Sequence, residues 1–466
     1  MRRRVGITLA LPLFLFAAAT LRAQAPPAAA AGTSAWLDAY RDPAARLIGE
    51  AVSSTFAWDR LSVLTDTIGN RLSGTPALDR AIQWAVAEMS KDGLENVHTE
   101  RVMVPKWVRG SESAEIVEPA RHAMVMLGLG DSVGTAGDGI QAEVIVVRTF
   151  EELEAKAASV RGKIVLFNVP FTNYGETVRF RAGGPSRAAR HGAVAMLIRA
   201  VGQTGLRTPH TGALQYASDA RKIPAAAISS EDADRLQRMA DRGSRIVVRL
   251  KMDAHFDADA ESANVVGEIR GRERPDEVVV VSGHLDSWDV GAGATDDGGG
   301  CVVTWEALRI MKKLNLRPRR TVRVVLWTNE ENGGRGGLAY RDQHRAELGK
   351  HVMMLESDGG VFRPLGFGFT GTDAARDTVR TIASLLTGIA ADQISPGGGG
   401  ADIGPSMQEG HVPGMSLEVD GSKYFLIHHT AADTIDKIDP VEMAKCAAAV
   451  AVMAYVVADL PRRLGE

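Results

Sequence analysis

The sequence predicts an α/β protein: a mixed, largely parallel sheet sandwiched by helices, interrupted by a second, smaller α/β unit. Three observations predict it. From residue 263 onward, short apolar runs alternate with helical patterns, as in a parallel sheet covered on both faces. Residues 120–252 carry their own strand and helix alternation, with no cluster of His, Cys and carboxylates among them. The 466 residues are too many for one ordinary core and suit two nested units.

The elements follow in order. Residues 1–25 read as an export signal, with Arg2, Arg3 and Arg4 before an apolar stretch at 5–21 and Ala23-Gln24-Ala25 as a cleavage site. Cleavage after Ala23 is the alternative, because Pro26 is a poor neighbour for a signal peptidase. The apolar stretch falls a little short of a bilayer span, and no other stretch approaches that length. The expectation is an exported protein, periplasmic or extracellular, with no stable membrane span once the signal is removed. Residues 26–40 are small and Ala-rich and read as a disordered leader.

Helical patterning at 44–89 falls in two blocks around the turn-like Ile68-Gly69-Asn70-Arg71-Leu72-Ser73-Gly74, and the second block, 76–91, opens on Pro76. Residues 97–107 alternate like a strand. Inside 120–252, strands are expected at 142–147, 163–167, 193–198 and 225–228, with helices at 149–159 and 185–191. This unit reads as an insertion that shapes or docks substrate. The main unit is then split, 41–119 with 253–466, its later strands at 278–282, 322–328 and 352–356 and its helices at 299–314 and 337–347.

Composition removes several functions. Lys and Arg total 54 against 57 Asp and Glu, a net charge of −3, so no cationic excess exists to neutralise a nucleic-acid backbone. Only Cys301 and Cys446 are present, which excludes a disulfide framework, and both read as small core residues. The Gly397-Gly398-Gly399-Gly400 run lacks a Gly-Lys-Ser/Thr ending, which argues against nucleotide; it reads as a cleft rim with Asp402 near the site. No serine sits in a Gly-x-Ser-x-Gly setting.

In a sheet of this kind ligands sit beyond the carboxyl ends of the strands, and the residues there are chemically unusual. The first strand runs into His284, with Asp286 two residues on, able to take the ring proton. A glycine-rich helix entry then presents Asp296 and Asp297, which a helix cap alone could also explain. The second strand ends in Glu330-Glu331 and the third in Glu356-Ser357-Asp358. A later apolar segment delivers His428-His429, with Asp433 shortly after. Each piece alone is weak; three consecutive strands and one loop with His and carboxylates at one end suit zinc.

On these motifs, and on Ser262-Ala263-Asn264-Val265-Val266-Gly267, the sequence resembles the M28 family of co-catalytic di-zinc exopeptidases. The insertion resembles a protease-associated domain through Arg161-Gly162-Lys163-Ile164-Val165 and His191-Gly192-Ala193-Val194-Ala195. The resemblance implies the zinc exopeptidase fold, two Zn²⁺ per chain, and hydrolysis of dipeptides or short peptides, by a carboxypeptidase or by an aminopeptidase. It implies His284 and Asp358 on the first ion, Asp296 as the bridge, Glu331 and His429 on the second, and Glu330 as general base. His428 is the alternative to His429, or else a contact to substrate or oxyanion. Asp286, Asp297 and Asp433 then support the ligands, with a cis peptide bond expected between Asp296 and Asp297. The family also implies a peptide substrate and a homodimer. A non-catalytic binding ectodomain is the reading from another class, against which the unbroken ligand set argues.

Overall fold

The computed structural model describes residues 35–203 and 205–466. The expected signal, and the leader as far as residue 34, lie outside the described residues.

The main sheet has eight strands in the order Glu95–Val104, Ala260–Ile269, Arg320–Trp327, Arg274–His284, His351–Glu356, Gly414–Val419, Pro364–Thr370 and Gln393–Pro396. The middle four run parallel, while Glu95–Val104 and Ala260–Ile269 on one side and Pro364–Thr370 on the other join by antiparallel pairing. Both faces are covered, so Arg320–Trp327 is buried along its whole length, and its second half, 324–327, is continuously apolar. The parallel register sets His284 beside Trp327, and Ser282 beside Glu356. The sequence that follows each of these strands therefore emerges at one end of the sheet.

Helix Pro76–Lys91 starts as its sequence predicts: Thr75 accepts the Leu78 amide at 3.4 Å, and Pro76 sits where no amide donor is needed. Its Leu78, Ala81, Ile82, Ala85 and Met89 face the core. Helices Asp38–Ser53, Gly299–Lys313 and Pro440–Asp459 pack with it on one face.

Two expectations are corrected here. The leader does not extend to residue 40, because Tyr40, Ala44, Leu47 and Ala51 form an apolar stripe at helical spacing. Helix Asp38–Ser53 lays that stripe on Pro440–Asp459, and the Tyr40 hydroxyl donates to the Asp459 carbonyl at 2.9 Å. A second stretch does reach membrane-span length, since Pro440–Asp459 has a mean hydropathy of 1.7. It is apolar all round because it is buried inside the fold, between sheet and neighbouring helices.

The second sheet also has eight strands: His122–Met124, Glu112–Glu118, Val247–Met252, Ile140–Val147, Ile164–Phe167, Ala195–Arg199, Ala225–Ile228 and Met126–Gly128. It begins ahead of residue 120, because Glu112–Glu118 pairs with Val247–Met252 along its length. The helix expected at 185–191 is longer, Tyr174–Arg190, with Pro185 inside it. Its start is the Asn173 side chain, which accepts the Glu176 amide at 2.9 Å, so the proline is not its opening residue. The lower face of this helix carries Phe180 and Ala188 into the inserted unit's own core.

Candidate metal centre

The site is assembled by carboxylates that never face it. Asp297 is fully buried at the entry of helix Gly299–Lys313, and one oxygen accepts the His284 amide while the other accepts the Gly300 amide, both at 3.0 Å. The Asp296–Asp297 peptide bond is cis. Asp433 accepts the Thr295 amide and hydroxyl, each at 2.7 Å, and the Asp296 amide at 3.2 Å. Asp286 accepts the Glu330 amide at 3.0 Å and the Glu331 amide at 3.3 Å, with the Ser73 hydroxyl at 3.3 Å.

These contacts correct one role. Asp286 was expected to take the His284 ring proton with its carboxylate, but that oxygen lies 3.8 Å from Nδ1. The main-chain carbonyl of Asp286 is the acceptor, at 3.0 Å. The carboxylate instead pins the Glu330-Glu331 loop, because two main-chain donors already converge on it. Asp433 ties the end of the His429 loop to the Asp296 turn through its carboxylate.

A buried arginine braces the same region. Arg71 donates to the carbonyls of Leu285 at 2.8 Å, Gly69 at 2.8 Å, Ala292 at 2.7 Å and Gly293 at 2.9 Å. It thereby shapes the loop between His284 and Asp296 from beneath. Arg71→Met is expected to cost about 3 kcal/mol or more, since each buried carbonyl left unpaired costs roughly 1–3 kcal/mol. Urea unfolding of the full chain measures this as a lower midpoint at unchanged slope.

In front of this scaffold, Asp296 stands at the centre. Its Oδ1 lies 3.1 Å from His284 Nε2, and its Oδ2 lies 3.2 Å from His429 Nε2 and 3.6 Å from His428 Nε2. Asp358 Oδ1 is 3.3 Å from His284 Nε2, and Glu331 Oε2 is 3.0 Å from His429 Nε2. Two atoms bound tetrahedrally to one zinc at ~2.1 Å stand about 3.4 Å apart, so these spacings suit shared cations. Asp296 Oδ2 is buried and accepts no hydrogen bond, a costly state that a cation would relieve. The His, Asp and Glu donor set fits zinc.

The electrostatics agree. Burial disfavours charge on His284 and His429, yet the carboxylates around each push both well above the ordinary histidine range. Burial also tends to raise Asp296, but the His284 hydrogen bond and the close His429 ring hold it well below the usual carboxylate range. Burial pushes Glu331 up to about 7 and Glu330 well above its ordinary value, against the pull of nearby histidines. Positive charge is drawn into this space.

Each residue singled out from the sequence can now be placed. His284, Asp296, Asp358, Glu331 and His429 converge, with Glu330 on the cavity wall beside them. Asp297 is within reach of His284 and Asp358, but both its oxygens are engaged by main-chain amides. His428 stacks on His429 at 3.5 Å between ring centroids and also reaches Asp296, though more distantly. Asp402 is buried behind the site, facing the charges of Glu356 and Glu330. The glycine run passes over Glu356, where a Cβ on Gly400 would meet Oε1 at 2.0 Å.

The cavity in front is about 280 Å³, and part of its wall comes from the insertion, as Tyr174 and Arg181. Tyr174 stacks on Phe425 at 5.0 Å. The sequence reading missed both, and no local pattern marks them. They reach the site from a helix of a different sheet.

Comparison with known proteins places this geometry. Residues 264–454 match Peptidase family M28, and residues 114–236 match the PA domain. Carboxypeptidase Q of Mus musculus is 47% identical over 428 residues, covering 91% of this chain and 91% of that protein. Carboxypeptidase Q of Homo sapiens is 48% identical over 408 residues, covering 88% and 86%. The crystal structure of a Peptidase M28 precursor from Shewanella amazonensis SB2B is 35% identical with a TM-score of 0.89, covering 92% of this chain and 98% of that one. BSAP, a zinc aminopeptidase from Bacillus subtilis, shares the fold at a TM-score of 0.66 and 20% identity, over 88% and 96% of the two chains. With relatives nearly half identical over most of both chains, this chain belongs to peptidase family M28 and is a zinc-dependent metallo-exopeptidase.

Proposed function

We propose that this enzyme is an exported carboxypeptidase of short peptides, dipeptides above all. In this reading His284, Asp296 and Asp358 hold one zinc ion, and Asp296, Glu331 and His429 hold the other. The observation that carries it is the Asp296 carboxylate set between two histidines, 3.1 Å from one and 3.2 Å from the other. Zinc bound there supplies Lewis acidity toward the scissile carbonyl and acidifies water.

The chain's own residues do the rest. Glu330 takes the proton of the attacking water and returns it to the leaving amine. Its burial supports that role, because a carboxyl group with a raised pKa holds a proton long enough to deliver it. Asp286 keeps Glu330 in place through the main-chain amide. A cavity of about 280 Å³ closed on one side by the insertion favours short substrates. The carboxypeptidase preference is supported by the relatives named Carboxypeptidase Q. Export is supported by the basic, apolar and A-x-A segments at 1–25, toward either the periplasm or the medium.

A panel of unblocked dipeptides, N-blocked peptides and C-amidated peptides tests this on the zinc-loaded protein. Cleavage of unblocked dipeptides and of N-blocked peptides is the expected result. Cleavage of C-amidated but not N-blocked peptides would make the enzyme an aminopeptidase, and no cleavage of any of them would favour a binding protein. Light scattering of the purified chain reads whether it is the homodimer that the family leads one to expect.

A further inference from the structure

We infer that the insertion completes the second metal position, with Thr211 and Arg181 acting as positioning residues for His429. This rests on the reading of His429 as a ligand and goes beyond it, since the insertion otherwise merely covers the cleft.

His429 is a non-glycine residue at φ +60°, in the left-handed region that L residues enter at a cost. Something must hold it there. Its carbonyl accepts the Thr211 amide at 3.0 Å, and its ring Nδ1 lies 3.4 Å from the Thr211 carbonyl. One residue of the insertion thus grips both the main chain and the far ring nitrogen. Arg181 Nη1 stands 3.5 Å from the same nitrogen but is turned to the Thr211 carbonyl, which is the acceptor beside Nδ1. Donation to it favours the tautomer protonated there and leaves the Nε2 lone pair toward the space beside Asp296 and Glu331. Among the described residues, no acceptor from the catalytic unit reaches this Nδ1.

The Thr211 carbonyl is itself held. Arg181 Nη1 donates to it at 3.1 Å, Nε donates to the Ala213 carbonyl at 3.3 Å, and Nη2 donates to the Tyr174 hydroxyl at 2.8 Å. Arg181 is buried, and among the described residues no carboxylate lies within ion-pair distance of it. Its donors are committed to shaping this loop. Gly212, at φ +128°, makes room: a Cβ there would stand 2.2 Å from Arg181 Nη1. The Thr211 hydroxyl anchors the loop to the insertion's own sheet, donating to the Gly128 carbonyl at 2.7 Å. A second strap joins the same segments, since the Gln203 amide donates to the Phe425 carbonyl at 3.0 Å.

The two positions are therefore unequal. His284 finds its Nδ1 acceptor in Asp286, two residues away on its own loop, whereas His429 finds it across the interface between units. Disturbing the insertion loop should loosen one zinc ion and leave the other.

The test uses the full zinc-loaded chain carrying Arg181→Met or Gly212→Ala, with Arg181→Lys and His429→Ala alongside. Zinc retained is measured by metal analysis across a graded chelator series, and the melting temperature of each metal-free form is recorded. Arg181→Met and Gly212→Ala should each release one ion at roughly 10–100-fold lower chelator activity, the range by which such supporting groups change affinity. The other ion should be released as in the wild type, and Arg181→Lys should recover part of the loss. The metal-free melting temperatures should fall, because Arg181→Met leaves buried acceptors unpaired and Gly212→Ala crowds the guanidinium, so the difference between the two ions is the readout. Wild-type retention of both ions in both variants would overturn the inference. Loss of both ions at the same lowered chelator activity would also overturn it, as a merely structural effect. His429→Ala retaining both ions would instead overturn the ligand assignment beneath it.

Discussion

Glu330→Gln is expected to keep both zinc ions and to lose about 10²–10⁴-fold in kcat, the share that a positioned general base contributes. The two side chains have nearly the same shape, so the cavity wall beside Asp358 should not change. The Glu330 main-chain amide would still donate to Asp286, because that bond does not involve the side chain. What is lost is a group able to accept a proton from water. The amide of glutamine cannot, and no neighbour replaces it: Asp358 and Glu331 stand beside the histidines. Metal analysis together with steady-state kinetics on a dipeptide gives the result. Substantial turnover at unchanged zinc content would remove Glu330 from the mechanism.

Asp296→Ala should have the larger effect, because it removes an oxygen from both positions at once. Each histidine loses its nearest carboxylate partner on that side, at 3.1 Å for His284 and 3.2 Å for His429. At least one ion should be lost after dialysis, and activity should fall below detection. Stability gives an independent reading. A ligand at 100 times its dissociation constant stabilises the native state by about 2.7 kcal/mol, and the variant should lose most of that zinc-dependent gain. Thermal unfolding with and without zinc measures it. A variant holding two ions with a wild-type thermal response would refute the bridging role.

The two variants also separate chemistry from architecture. Glu330→Gln changes a proton acceptor in a metal site that stays assembled, whereas Asp296→Ala dismantles the site while the supporting carboxylates remain. Asp297, Asp433 and Asp286 hold their main-chain amides in either case.

Much of the site was legible because its residues stand at predictable places. His284 closes the strand Arg274–His284, Glu330 follows Trp327, and Asp358 follows Glu356, so strand ends alone point to them. The supporting roles were less legible. Asp286 lies two residues from His284, which suggested a side-chain contact, but the carboxylate turns to the amides of Glu330 and Glu331. Sequence proximity says which groups can meet, while competition among several donors decides which do. Helix Tyr174–Arg190 shows the same limit, since Pro185 reads locally as a helix start but is carried inside a longer helix capped by Asn173.

By itself the sequence determined the fold class, the nesting of one α/β unit within another, and the cluster of His and carboxylates at one end of a sheet. Strand periodicity and strand ends are local properties of the chain, so they can be read along it. Only the tertiary structure decided that the insertion enters the site. Thr211 meets His429 across 218 positions of sequence, and Arg181 meets it across 248. Contacts of that separation leave no local pattern; the packing of one sheet's loops on the other creates them.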